Sequence, residues 1–387
     1  MLLADAAALR HLDVETLLLP VLVQLIVILL AARLFAVLFR KIGQPAVVGE
    51  IAAGLILGPS VFGALFPEAA RAIFQPTLGG LSPELSDALL TKIFNVLSQL
   101  GLIFLLFLVG LEFDFSHLRW HGRSAVAISV AGVALPFALG VALAGWMVEH
   151  IEPHPARPGP VPTLGFTLFL GVAMSITAIP VLARIMMELG ITRTRVGTVT
   201  IAAAAVDDAS GWVLLAAIAA TVNAQFEIGR SLLMIGGTVL FTLGMVFIVR
   251  PLLLRGLAAL RRDGQLALGP NALALLLALL FACSILTNLI GIFAVFGAFL
   301  LGAILSDQTD LRDAVAAGLR GLVTVFFLPI FFAYTGLRTD VGTLNSASLW
   351  LFCGLVLLVA IIGKFAGCGL AAWLSGQPWR EAACIGA

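Results

Sequence analysis

The sequence predicts an all-α polytopic membrane protein built around an inverted repeat, and three observations lead there. Of its 387 residues 61% are hydrophobic and only 11% charged, whereas about a quarter of a soluble domain is charged. Its apolar residues fall in windows long enough to cross roughly 30 Å of hydrocarbon at about 1.5 Å per residue. Two glycine-patterned stretches near the start also return near the end, in windows of opposite direction.

The windows lie at about 17–39, 45–65, 93–112, 124–149, 163–187, 195–221, 231–252, 269–290, 291–306, 319–337 and 347–374, eleven expected spans of which the ninth is short. Only helices or closed barrels satisfy their backbone in lipid, and apolar runs of this length without strict alternation are helices. The first span is expected to stay in the membrane. Residues 1–16 carry Asp5, Arg10, Asp13 and Glu15 and lack the basic start and small-residue cleavage site of a removed signal peptide. Arg33 lies near the end of that span and can snorkel to the interface. One set of connections holds fourteen Lys and Arg and the other six, and positive charge stays in the cytoplasm. The N-terminus is therefore expected outside.

The repeat aligns Val48-Gly-Glu-Ile-Ala-Ala-Gly-Leu-Ile-Leu57 with Phe296-Gly-Ala-Phe-Leu-Leu-Gly-Ala-Ile-Leu305. It also aligns Phe107-Leu-Val-Gly-Leu-Glu-Phe-Asp114 with Ala333-Tyr-Thr-Gly-Leu-Arg-Thr-Asp340. Spans one to four then match spans eight to eleven, each pair crossing in opposite directions. Inverted repeats of this kind mark secondary transporters, whose binding site lies at the repeat interface.

Span five contains Met174-Ser-Ile-Thr-Ala-Ile-Pro-Val-Leu-Ala-Arg184. Pro180 has no amide hydrogen and clashes with the preceding turn, so carbonyls near Ile176 and Thr177 lose their helical partners and the helix is expected to break there. In a membrane such groups need protein, water or an ion. Span six holds Asp207 and Asp208 in an otherwise apolar run. A charge at the bilayer centre costs roughly 2.5–3.5 kcal/mol on insertion scales. Adjacent residues on a helix point about 100° apart, so one Asp can meet a partner while the other faces a water-filled cavity. Lys364, near the middle of span eleven, is the expected partner. Gly363-Lys364 is not a phosphate-binding loop, because Leu358 and Phe365 stand where Gly and Ser or Thr are required.

The remaining polar residues read as structural. Glu50, Glu112 and Asp114 lie near span ends and are expected at the headgroups, and Asn288 and Thr287 are expected to hydrogen-bond across helices. His117 and His121 share a helix spacing but have no carboxylate or thiol to complete a metal site. Cys283, Cys353, Cys368 and Cys384 form no metal or redox motif and are expected as small core residues. No nucleophile, base and orienting group converge by motif, so the chain is not read as an enzyme, and no cofactor is expected. A net charge of +1 without a basic cluster argues against nucleic acid.

At Thr177-Ala-Ile-Pro180, Val206-Asp-Asp208, Leu108-Val-Gly-Leu-Glu112 and the mid-span Lys364, the chain resembles the monovalent cation–proton antiporters, in the bacterial branch of sodium–proton exchangers and potassium-efflux relatives. The resemblance implies a thirteen-helix inverted-repeat antiporter fold with two broken helices crossing at the ion site. It also implies a homodimer in which a core domain moves against a dimerising one, in the inner (plasma) membrane. By matched motif it puts the cation-binding carboxylate at Asp208, pairs Asp207 with Lys364, and sets Thr177 at the helix break beside Ile179 and Pro180. No metal is implied beyond the transported Na+ or K+.

The family continues past the Lys-bearing span with a further crossing helix and one more, whereas this sequence reaches Ala387 as another apolar run begins. About eleven of thirteen helices are therefore expected, in a single exchanger domain over 1–387: a first repeat over 1–221, a linker helix over 222–268 and an incomplete second repeat over 269–387. The function expected is electrogenic exchange of protons for Na+ or K+ by alternating access. The rival is a transport-inactive fragment or a structural membrane subunit.

Overall fold

The computed structural model describes residues 13–113, 115–151, 163–222, 228–262, 265–266 and 269–387. Asp114, the first twelve residues and the side chains of His117 and His121 lie outside the described residues. In chain order the helices are α1 (Val14–Lys41), α2 (Ala46–Leu57), α3 (Pro67–Phe74), α4 (Pro83–Leu111), α5 (Phe115–Val148), α6 (Thr163–Ser175), α7 (Ile179–Leu189) and α8 (Arg195–Val222). They continue as α9 (Ile228–Gly244), α10 (Arg250–Leu260), α11 (Pro270–Ile290), α12 (Ala294–Ile304), α13 (Thr309–Leu322), α14 (Leu328–Leu337), α15 (Ala347–Leu374) and α16 (Trp379–Gly386). Five-residue stretches of wider winding follow α2 and join α9 to α10 and α13 to α14. Arg261–Arg262 and Gln265–Leu266 form a two-residue antiparallel pair between α10 and α11. Each of the eleven expected spans falls on helix. Among the described residues nine helices are long and apolar enough to cross a membrane, and α12 is a shorter apolar one.

The chain divides into two compact units. The first, Met1–Leu105 with Val315–Asn345, is built on α1, α2, α14 and most of α4. Its core packs Ile28, Ala32, Phe94, Ile330, Ala333 and Tyr334, with the Phe94 and Tyr334 rings stacked at 5.1 Å. The buried Gln24 amide donates to the Ile73 carbonyl at 2.8 Å, tying the short α3 to α1. The second unit, Leu106–Ala314 with Ser346–Ala387, packs α5 against α6, α8 and α15, α11 against α12, and α16 onto α15.

The aligned glycine positions make matching contacts, each within one unit. A methyl on Gly49 would meet the Phe35 carbonyl at 2.5 Å, and one on Gly297 would meet the Cys283 carbonyl. In both pairs the partner lies fourteen residues earlier, on the preceding long helix. Gly54 of α2 lies against the Ala333 carbonyl of α14, as Gly302 of α12 lies against the Phe107 carbonyl of α4. Gly336 faces the Ile51 carbonyl and Leu55 amide, as Gly110 faces the Phe299 carbonyl and Ala303 amide. The short second helix of one aligned stretch thus packs backbone to backbone on the third helix of the other, both ways round.

Several expectations change. Glu50 is fully buried rather than at the headgroups, because it sits in the second turn of α2, whose flanking Gly49 brings that helix against α1. Glu112 accepts a hydrogen bond from Thr192 at 2.9 Å, so it ties the end of α4 to the turn after α7. Thr287 bonds carbonyls of its own helix and, at 3.4 Å, that of Ala294 at the start of α12. Asn288 is exposed. Among the cysteines Cys283 is buried, Cys353 and Cys368 are intermediate and Cys384 is exposed, since α16 covers α15 with its other face.

Because the glycine contacts are made to backbone, which cannot swing aside, Gly54→Ala and Gly302→Ala are each expected to destabilise by about 1–3 kcal/mol. Gly318→Ala, whose added methyl meets open space, is expected to be neutral or stabilising. Thermal unfolding of the purified protein in detergent checks this, and equal midpoints for all three variants refute it.

Candidate functional site

Span five is broken into two helices. α6 stops at Ser175 and α7 starts at Ile179, with Pro180 as its second residue, where the missing amide hydrogen costs nothing. Ala178 is non-helical (φ −80°, ψ 89°), and its carbonyl receives the amides of both Val181 and Leu182 at 3.1 Å. The three residues between the helices carry Thr177 at the gap. Ile179 is buried and Pro180 half-buried.

Opposite this break, α8 presents Asp207, which is buried. The Thr177 hydroxyl donates to Asp207 Oδ2 at 2.7 Å. Lys364 Nζ donates to Thr177 Oγ1 at 2.7 Å and to Asp207 Oδ2 at 3.3 Å. The Ser129 hydroxyl of α5 donates to Asp207 Oδ1 at 2.5 Å. Both carboxylate oxygens are therefore occupied, from three different segments. The ion pair is well shielded, with side-chain exposures of 23% for Lys364 and 4% for Asp207.

Lys364 reaches this depth because α15 lies close against α5. A methyl at Gly363 would sit 3.2 Å from Pro136 Cα, and one at Gly367 would sit 2.7 Å from the Ala131 carbonyl. Those two glycines bracket Lys364, so its stem leaves the helix where the two backbones are closest. Gly211, one turn beyond Asp207, receives Ile176 from the break, at 2.8 Å from where its Cβ would lie.

Asp208 behaves differently. It is partly exposed, and among the described residues it makes no hydrogen bond or ion pair. Asp207 is ion-paired with Lys364, whereas among the described residues no charge is paired with Asp208, and a carboxylate is costly to bury unpaired.

Of the expected residues, the structure brings Asp207, Lys364 and Thr177 into one cluster, with Asp208 next to Asp207 on α8 and outside that hydrogen-bond set. Ser129 was not anticipated. It is a lone hydroxyl in Ala127-Ile-Ser-Val130, and nothing in such a run separates a ligand of Asp207 from a serine bonding its own helix.

The profile of the family described as "Sodium/hydrogen exchanger, transmembrane" matches residues 26–387. The Na(+)/H(+) antiporter NhaS4 of Synechocystis sp. (strain ATCC 27184 / PCC 6803 / Kazusa) is 39% identical over 375 residues, covering 97% of this chain and 86% of the relative. Cation/H(+) antiporter 18 of Arabidopsis thaliana is 33% identical over 94% of this chain, and K(+)/H(+) antiporter 1 of Saccharomyces cerevisiae is 29% identical over 94%. The chain spans only 42% and 40% of the length of these two. Among solved structures, the sodium proton antiporter MjNhaP1 of Methanocaldococcus jannaschii at pH 8 superposes with a TM-score of 0.62 at 18% identity, over 95% of this chain and 82% of that one. At that identity the likeness shows the fold.

Removing Lys364 leaves Asp207 a buried carboxylate without its counter-charge, so Lys364→Ala is expected to destabilise by about 3–5 kcal/mol. Ser129→Ala is expected to cost less, about 1–3 kcal/mol. Adding Asp207→Asn to Lys364→Ala is expected to restore part of the loss, because no bare charge remains. Unfolding midpoints of the wild type and these three variants test this, and a double variant no more stable than Lys364→Ala contradicts it.

Proposed function

The chain belongs to the sodium/hydrogen exchanger family, and on that premise we propose that it is a secondary antiporter exchanging protons for Na+ or K+ across a membrane by alternating access. One observation carries the reading: Asp207 is saturated by Ser129, Thr177 and Lys364, while the adjacent Asp208 is partly exposed and has no hydrogen-bonding or ion-pair partner among the described residues. In the proposed cycle Asp208 releases its proton and takes a partly dehydrated cation, beside the helix break at Ile176–Ala178 that carries Thr177. The cation is the substrate, and Asp208 is its carboxylate ligand.

The same geometry supports electrogenic exchange. If the cation draws on Asp207 as well, Lys364 loses its counter-charge and gives up a proton, so that more protons than cations cross per turn. The paired backbone contacts of Gly54 and Gly302, and of Gly336 and Gly110, support the inverted repeat that alternating access uses. They support a first repeat over 1–221, a linker over 222–268 and a second repeat from 269. The bias of fourteen against six Lys and Arg supports an N-terminus outside a plasma or inner membrane. A homodimer rests on the family resemblance. The relatives named above favour an exchanger over a structural membrane subunit.

Cation addition to inverted vesicles that hold a pH gradient tests the reading. The wild type is expected to dissipate the gradient, and Asp208→Asn to fall to the level of empty vesicles. A proton and a cation competing for one carboxylate require the apparent KM for the cation to rise as pH falls, with kcat little changed. Full exchange by Asp208→Asn, or a KM that falls on acidification, defeats the proposal.

A further inference from the structure

The first unit holds a cavity of about 430 Å³ at the end where α2 and α14 stop, at Leu57 and Leu337. It is lined by Arg71, on the short α3, and Arg338, just past α14. Asp87 also lines it, yet among the described residues it makes no ion pair with either arginine. Two positively charged residues thus line one cavity, and among the described residues no carboxylate is ion-paired with either. Arg338 is held over the Tyr334 ring at 6.0 Å, and the Tyr334 hydroxyl reaches the Thr91 carbonyl at 3.5 Å. The rim is also fixed: Ser60 Oγ accepts from the Val341 amide at 2.7 Å and donates to the Thr339 carbonyl at 3.4 Å. Gln24 anchors the helix that carries Arg71 by its bond to Ile73.

The apolar residues Leu57, Phe74, Leu90 and Leu337 also line it. Planar guanidinium groups hold phosphate oxygens through paired hydrogen bonds. A free phosphate meets the arginines but leaves these apolar residues uncovered, whereas a phosphodiester carrying a glycerol and the first carbons of a chain covers both. We propose that this cavity is a binding site for the headgroup of an anionic phospholipid, its phosphate on Arg71 and Arg338 and its glycerol end on the apolar residues. Zwitterionic headgroups bring a choline ammonium toward two guanidinium groups and are disfavoured by like-charge repulsion. The site lies outside the Asp207 cluster, so its test is independent of the exchange reaction.

The test is thermal unfolding of the purified full chain in detergent with dioctanoyl phosphatidylglycerol, dioctanoyl phosphatidylcholine or inorganic phosphate at equal concentration. A ligand bound to the folded state alone raises the midpoint. The phosphatidylglycerol is expected to raise Tm by about 2 °C or more, and the other two by less than half of that. The double variant Arg71→Gln/Arg338→Gln is expected to lose the rise while keeping the wild-type Tm in phosphatidylcholine. An equal rise with phosphatidylcholine overturns the proposal, as does an undiminished rise in the double variant. An equal rise with inorganic phosphate identifies a free-anion site and overturns the lipid assignment. If the double variant fails to fold, Arg71→Lys, which keeps the charge but loses the fork, must at least halve the phosphatidylglycerol effect for the proposal to stand.

Discussion

Everything in the second unit depends on one carboxylate being fully occupied. Asp207 is buried in an apolar helix and accepts from Ser129 on one oxygen and from Thr177 and Lys364 on the other. A buried charge persists only when it is both paired and hydrogen-bonded, and each donor comes from a different segment: α5, the break between α6 and α7, and α15. The ion pair therefore dictates where those segments meet. It also leaves the neighbouring Asp208 as a carboxylate with no hydrogen-bond or ion-pair partner among the described residues.

Backbone contact supplies the other constraint. α15 brings Lys364 to depth because Gly363 and Gly367 let it touch α5, and the short helices α2 and α12 dock through glycines in the same pattern. In a bilayer the hydrophobic effect does not drive helices together, so close packing and polar bonds have to. Larger side chains at Gly363 and Gly367 would separate the backbones of α5 and α15 that hold Lys364 within reach of Asp207.

Much of this was legible in the sequence because it rests on chemistry that is rare in an apolar chain. Two carboxylates, one lysine and one proline stand out in long hydrophobic runs, and each marked a real feature: the pair in α8, its partner in α15 and the break before α7. The glycine spacing likewise pointed to the contacts of Gly54 and Gly302. What was hidden was ordinary by type. Ser129 resembles any serine in a membrane helix, and only its position one helix away from Asp207 gives it a role. Glu50 looked like a headgroup residue because it lies near the start of its window, and the close approach of α2 to α1 buries it instead. α4 begins at Pro83, about three turns before its apolar window, since its polar first turns carry no hydropathy signal.

The division of labour within the Asp pair is the central claim, and proton release on cation binding measures it most directly. Purified protein in weakly buffered detergent is mixed with Na+ or K+, and the pH change is followed with an indicator dye. Wild type is predicted to release protons in a saturable way, and Asp208→Asn to release none. Saturable release from Asp208→Asn equal to that of wild type would contradict the account, because the cation would then displace protons without the carboxylate assigned to it.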